Sequence, residues 1–263
     1  MRGITYNMLG LRVQALTPDD IVSIIAQAVE NGQRYIIANH NLHSFYVYHH
    51  DLKARQFFDR ADYVHIDGMA IVALARLLGI PLRREHRATY IDLLPCILDA
   101  AERHSWKIFY LGSKPDVAER AAKELRIQYP KLQMRTHHGH FSAEQSSLEN
   151  KEVVEEIKAY APQILMVGMG MPRQENWIAD NWQSLCCNAT LCSGAALDYF
   201  AGEIPTPPRW LGQLGLEWLY RLATEPERLW RRYLVEPWFV LRVIGQQYLS
   251  GPRPKPIFRY PFK

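Results

Sequence analysis

The chain has no long apolar run: its cleanest apolar stretches, 70–75 and 164–167, fall far short of the roughly 18 residues that a membrane span needs. It also lacks an N-terminal apolar segment followed by a small-residue cleavage site, so residues 1–10 do not read as a signal peptide and a cytoplasmic location is expected. Cysteine is scarce. Cys96, Cys186, Cys187 and Cys192 form no C-x-x-C pair, which argues against a disulfide frame or a zinc knuckle and for reduced structural thiols. Glycine and proline are ordinary in number, 15 and 16, which excludes collagen-like and low-complexity chains. Several chemical signatures are missing as well: there is no G-x-x-x-x-G-K-[ST] phosphate loop, no H-E-x-x-H metal helix and no G-x-S-x-G nucleophile turn. No D-x-D occurs, so a common way of holding a divalent ion against a nucleotide diphosphate is absent. Metal binding by His40/His43 or by His137/His138/His140 is disfavoured, because neither group has an acid at matching spacing.

What remains is a 263-residue globular chain, 48% hydrophobic and 22% charged, large enough for one sizeable α/β core. Its net charge of +4 is unevenly placed: residues 203–263 hold ten Lys/Arg against five Asp/Glu, with four of the seven tryptophans (Trp210, Trp218, Trp230, Trp238). A basic, aromatic tail suits phosphates or lipid headgroups, and it equally suits a helical subdomain with Trp in its core and Arg on a solvated face. Nucleic acid is not expected, since the first 202 residues are near neutral and no recognition helix or RNA-binding signature is present.

Thr17-Pro18-Asp19-Asp20 predicts a helix start, with Gly32 as its stop. Strands are expected at 34–38, 63–66, 107–111, 132–136, 163–167 and 189–192. Helices are expected from 42 to about 61, over 69–78 and 116–129, over about 142–160, and across Trp177 and Trp182. Alternating strands and helices predict an α/β fold, a mostly parallel Rossmann-like sheet with helices on both faces, whose ligand sits outside the carboxyl ends of the strands. Asn39/Asn41, Asp67/Gly68, Gly112/Ser113, Gly168/Gly170 and Ser193/Gly194 fall at those ends. After Pro205-Thr-Pro-Pro208 the pattern turns helical, which divides the chain into an α/β catalytic domain at 1–202 and a helical appendage at 203–263.

The segment Gly168-Met-Gly-Met-Pro-Arg-Gln-Glu175 combines flexible backbone, a helix start and a cation, as a diphosphate requires, although G-x-G alone also fits a plain strand-to-helix turn. Asp67, at a strand mouth, is placed either to cap the following helix or to act as a base.

Taken with Asn39-His-Asn41, 61–68, 87–93, 109–113, 139–141, Gly168–Trp177, Gly194–Gly202 and 208–232, these residues resemble the WecG/TagA/CpsF family of bacterial glycosyltransferases. The resemblance implies metal-independent, inverting transfer from a UDP-sugar donor to a polyprenyl-diphosphate-linked sugar acceptor, without a cofactor, in polysaccharide biosynthesis at the inner face of the membrane. An anionic membrane surface is then a partner, and a homo-oligomer stays open. Asp67 becomes the catalytic base. Asn39, Asn41, Gly68, Arg87, Gly168, Gly170, Arg173, Gln174, Glu175 and Asp198 become substrate-binding residues, with Arg221, Arg228, Arg231 and Arg232 supplied by the tail. Two departures, Asn39 in place of Thr and Thr89-Tyr90 in place of Thr-Gly, point to a glucosyl donor, with N-acetylmannosaminyl or N-acetylmannosaminuronosyl transfer as the alternative. A non-catalytic binder of nucleotide sugar or lipid diphosphate and a Rossmann oxidoreductase are the rival readings.

Overall fold

The computed structural model describes residues 4–208, 210–211 and 216–250. Arg209, 212–215 and 251–263 of the expected appendage lie outside the described residues. A hairpin opens the fold, β1 (Thr5–Met8) and β2 (Leu11–Gln14), turning through Leu9 and Gly10 at φ 56° and 91°. It was not expected from the sequence, because its strands are only four residues long and Leu-Gly is a weak turn signal beside Asn-Gly. The hairpin covers an otherwise open sheet edge: the Gln14 side-chain oxygen accepts the Val64 N–H at 2.7 Å.

Six parallel strands follow, β3 (Tyr35–His40), β4 (Tyr63–Ile66), β5 (Lys107–Gly112), β6 (Gln133–His137), β7 (Ile164–Gly168) and β8 (Ala189–Cys192), in the order β4-β3-β8-β7-β5-β6. Strands β4, β7 and β8 are buried at every position, as expected of runs covered on both faces. One core lies on each side. Phe45, Phe57, Phe109 and Trp177 fill one face of the sheet, and Ile25, Leu94, Ile108 and Tyr110 the other.

Helix α1 (Pro18–Glu30) starts at a Thr17/Asp20 capping box, and Gly32 follows its end at φ +61°. The stretch expected as one helix after β3 is two, α2 (Leu42–His50) and α3 (Leu52–Arg60), because Asp51 is extended and caps the second through the Ala54 N–H. Helix α4 (Met69–Leu77) follows β4, and α5 (Tyr90–His104) carries Pro95 in its interior. The remaining sheet helices are α6 (Val117–Gln128), α7 (Leu148–Tyr160), α8 (Arg173–Asn181) and α9 (Ala196–Phe200). Helix α7 starts six residues later than expected, where the Ser147 hydroxyl accepts the Asn150 N–H.

The tail forms α10 (Glu217–Thr224), α11 (Pro226–Trp230), a π-helical turn (Arg231–Val235) and α12 (Glu236–Ser250). It is anchored on the sheet side. Val240 and Ile244 are buried, Phe239 meets His50 at 4.5 Å, and Glu236 holds His43 at 2.9 Å across α12 and α2. The tail tryptophans take no part in that anchoring: Trp210, Trp218, Trp230 and Trp238 are 58%, 40%, 44% and 71% exposed, so the reading of them as core is not what the structure shows. Among the described residues no helix is long and apolar enough to cross a membrane.

Candidate active site

Adjacent strands bring their ends together where the chain direction through the sheet reverses, and that is where a parallel sheet opens a crevice. Here β3, β4, β7 and β8 meet the tail around a cavity of about 380 Å³. Asn39, Asn41, Asp67, Gly170 and Gln174 line it from the sheet, and Arg221, Arg228, Arg231 and Arg232 from the tail.

The sheet wall is fixed by short-range geometry. Asn39 is the penultimate residue of β3 and donates from its side chain to the Cys192 carbonyl at 3.2 Å, while its own oxygen has no partner. Asn41 caps α2, accepting the Ser44 N–H at 3.0 Å. The Asp67 N–H donates to the His40 carbonyl at 2.8 Å, holding the end of β4 against β3. Asp67 does not cap α4; that position belongs to Gly68, at φ +113° and without a side-chain bond, so the capping alternative fails and the carboxylate is left to the cavity. Gly168, expected to bind substrate, lies outside the lining of the cavity and is required instead by close approach, since a Cβ there would collide with the Tyr110 hydroxyl and the Gly194 carbonyl.

Gln174 reaches the lining from within the wall, and Glu175 lies behind it, outside the lining. Both are buried. The Gln174 side-chain oxygen accepts the Gly170 N–H at 3.3 Å and the Gly194 N–H at 3.2 Å, tying the loop after β7 to the loop after β8. Its amide nitrogen donates to Glu175 at 2.8 Å, which fixes the direction in which the amide points. Burial pushes the Glu175 carboxyl up to about 7, against the pull of its hydrogen bonds to Gln174 and Cys192.

Three carboxylates face the cavity, and two are committed. Glu217 pairs with Arg87 at 3.0 Å and Glu236 with His43 at 2.9 Å. Asp67 has no such pair among the described residues. Burial raises its pKa above the ordinary carboxylate value, while Arg221, Arg232 and Arg87 pull the other way. Four polar atoms of lining residues, Asn39 Oδ1, Tyr90 OH, Ser193 Oγ and Arg221 Nε, are buried without a hydrogen-bond partner. Each unpaired group costs about 1–3 kcal/mol unless a ligand satisfies it.

The tail wall supplies cations. Arg221 lies over the Tyr199 ring at 5.9 Å and Arg231 over Trp230 at 5.2 Å. Arg228 is held by Glu225 at 2.5 Å. Arg232 is placed by the π-helical turn, and burial lowers its pKa, as does the neighbouring Arg221. A second cavity, of about 540 Å³, shares Asn41, Asp67, Arg221 and Arg232 with the first and extends along α4 from Gly68.

Not every expected residue lines these cavities. Arg87 stands behind the wall, bound to Asp92 and Glu217 at 2.9 and 3.0 Å. Arg173 points away and donates to the Phe141 carbonyl at 2.6 Å. Asp198 is placed near Ser113 and Arg228, outside the lining. His137, His138 and His140 occupy a separate recess with Glu149, Glu152 and Glu156. Conversely, Tyr199, Glu217 and Glu236 line the polar cavity without having been singled out from the sequence, and so does His43, which was weighed there only as a metal ligand. Tyr199 and Glu217 lie within the stretches 194–202 and 208–232 that carry the family resemblance, whereas Glu236 carries no local signal.

A staphylococcal N-acetylglucosaminyldiphosphoundecaprenol N-acetyl-beta-D-mannosaminyltransferase (Staphylococcus aureus strain NCTC 8325 / PS 47) is 32% identical over 176 residues, 67% of this chain and 66% of that protein. The protein of the same description from strain MRSA252 is 31% identical over the same length. The chain thus matches just under two thirds of the length of these relatives. The profile described as "Glycosyl transferase WecG/TagA/CpsF family" matches residues 6–253, and the chain therefore belongs to the WecG/TagA/CpsF family of glycosyltransferases.

Proposed function

We propose that this protein transfers an N-acetylhexosamine of the mannosamine type from a UDP-sugar to a polyprenyl-diphosphate-linked sugar, with inversion at the anomeric carbon. The observation that carries the reading is the polar cavity itself, lined by one uncommitted carboxylate, Asp67, by four tail arginines and by polar atoms without a partner. The names of the staphylococcal relatives supply the sugar and acceptor classes and favour this donor over the glucosyl one expected from Asn39 and Tyr90.

In the proposed reaction the acceptor hydroxyl attacks the anomeric carbon in line as Asp67 takes its proton. A new carbon–oxygen bond forms, the bond to the β-phosphate breaks, and UDP leaves carrying its negative charge. Arg221 and Arg232 stabilise that charge in a site shielded from water, with Arg228 and Arg231 at its rim. Residues 1–202 supply the sheet and base, and the tail completes the site. The tail also offers an exposed apolar and aromatic surface, Trp230, Leu234, Trp238 and Leu241, suited to peripheral contact with the cytoplasmic face of an anionic membrane.

The test is purified protein offered a panel of UDP-sugars with N-acetylglucosamine-diphosphate-prenol, read by mass spectrometry. UDP-N-acetylmannosamine is expected to give a disaccharide product in the presence of EDTA. Turnover of UDP-glucose alone would replace the donor, and release of no UDP from any sugar would remove the enzymatic reading.

A further inference from the structure

The second cavity differs from the first in its lining. Met69, Ala70 and Ala73 on α4 form one side, and Trp218, Tyr233 and Pro237 of the tail form the other. Ala70 and Ala73 are exposed and small, so the floor along α4 is open along its length. The cavity is not an isolated hydrophobic hole: at its inner end it reaches Asp67, Arg221 and Arg232, the groups that also close the polar cavity. At the tail side, the lining residue Trp218 is itself 40% exposed, and Leu234 and Trp238, next in sequence to Tyr233 and Pro237, are 52% and 71% exposed. An apolar track therefore runs from the base, past α4, to an apolar surface.

We infer that this track is the seat of the acceptor's prenyl chain: its diphosphate lies on the second-cavity side of Arg221 and Arg232, which line both cavities and meet the UDP diphosphate from the other side, the first isoprene units lie along α4, and the rest leaves over the exposed tail surface. The inference rests on the transferase reading above. It follows from continuity and polarity together. A donor sugar nucleotide is polar throughout and matches the cavity with unpaired Asn39, Ser193 and Arg221 atoms, whereas a prenyl diphosphate is ionic at one end and hydrocarbon beyond it, the same order as this lining. The two substrates thus reach Asp67 from opposite sides, which is the geometry that an in-line displacement needs.

The test uses the full chain and two sugar-free ligands, farnesyl diphosphate and butyl diphosphate, titrated by calorimetry. Wild-type protein is expected to prefer the farnesyl compound at least tenfold. Ala73→Trp, at an exposed position that folding does not depend on, is expected to erase that preference, as is Met69→Asp. Leu77→Trp, on the same helix but outside the lining, is expected to keep it. Farnesyl diphosphate should also compete with lipid acceptor and not with UDP-sugar. Equal affinity for the two diphosphates, or loss of the preference in Leu77→Trp alone, would overturn the assignment. A preserved farnesyl preference in a protein that transfers no sugar would leave the groove standing and reject the transferase reading instead.

Discussion

The sheet wall and the tail wall of the polar cavity are built in opposite ways. On the sheet side Asn39, Gln174 and Ser193 are buried and held by backbone geometry, with Gln174 bonded to two loop amides and Asn39 to a strand carbonyl. Across from them the tail offers long cationic side chains on short helices, held by ring contacts at 5.9 and 5.2 Å and one carboxylate pair. One wall resists displacement, and the other brings charge to a place the sheet cannot reach. In the proposed reaction the base belongs to the rigid wall, where a misplaced proton acceptor costs most, and the stabilisation of the leaving-group charge to the tail.

Removing the proposed base attacks the rigid wall where it matters most. Asp67→Asn keeps the shape and cannot take a proton, so kcat is expected to fall by about 10² to 10⁴, the range for a general base. Steady-state rates with saturating donor and acceptor check this. Because burial raises the Asp67 pKa, wild-type kcat/KM should fall as pH drops through a value above the ordinary carboxylate range.

On the opposite wall, Arg232→Ala and Arg221→Ala are expected to lower kcat by about 10²-fold each, the low end for removing one charge-stabilising donor. Arg228→Ala should lose less, since Glu225 already holds that guanidinium. Soluble acceptors should show the same losses if the arginines serve the diphosphate and not the membrane.

A third prediction concerns stability. Glu175 ionises near 7 when folded and near 4.5 otherwise, so between those values the unfolded chain gives up a proton that the folded one retains. Stability should therefore decline as pH rises from about 4.5 to 7, by about 3 kcal/mol, and level off above. Glu175→Gln is expected to remove that slope in denaturant titrations at pH 5 and 8 while keeping the Gln174 bond. The smallest expected effect is at the seam: His43→Ala should shift KM a few-fold with little change in kcat, because it loosens α12 and removes no group from the chemistry.

The sheet was legible in the sequence because buried parallel strands are apolar on both faces, so 107–111 and 163–167 stand out without any alternation. The hairpin and α5 were not: four-residue strands leave no window for a pattern, and Pro95 reads as a helix breaker although α5 continues through it. Asp67 and the Gly168–Glu175 segment were legible as strand-end chemistry. Their division of labour was not, since only the fold shows that Arg173 turns outward to Phe141 and that Gln174 and Glu175 brace the loops from within. His43 and Glu236 lie far apart in the chain, and nothing local marks either as part of one site.

The division between the walls is tested most directly by measuring UDP affinity calorimetrically in Asp67→Asn and Arg232→Ala, with turnover followed in the same preparations. Asp67→Asn is expected to bind UDP as the wild type does while turning over at least about 100-fold more slowly, and Arg232→Ala to lose affinity and turnover together. Undiminished UDP binding in Arg232→Ala, with turnover intact in Asp67→Asn, would contradict both assignments.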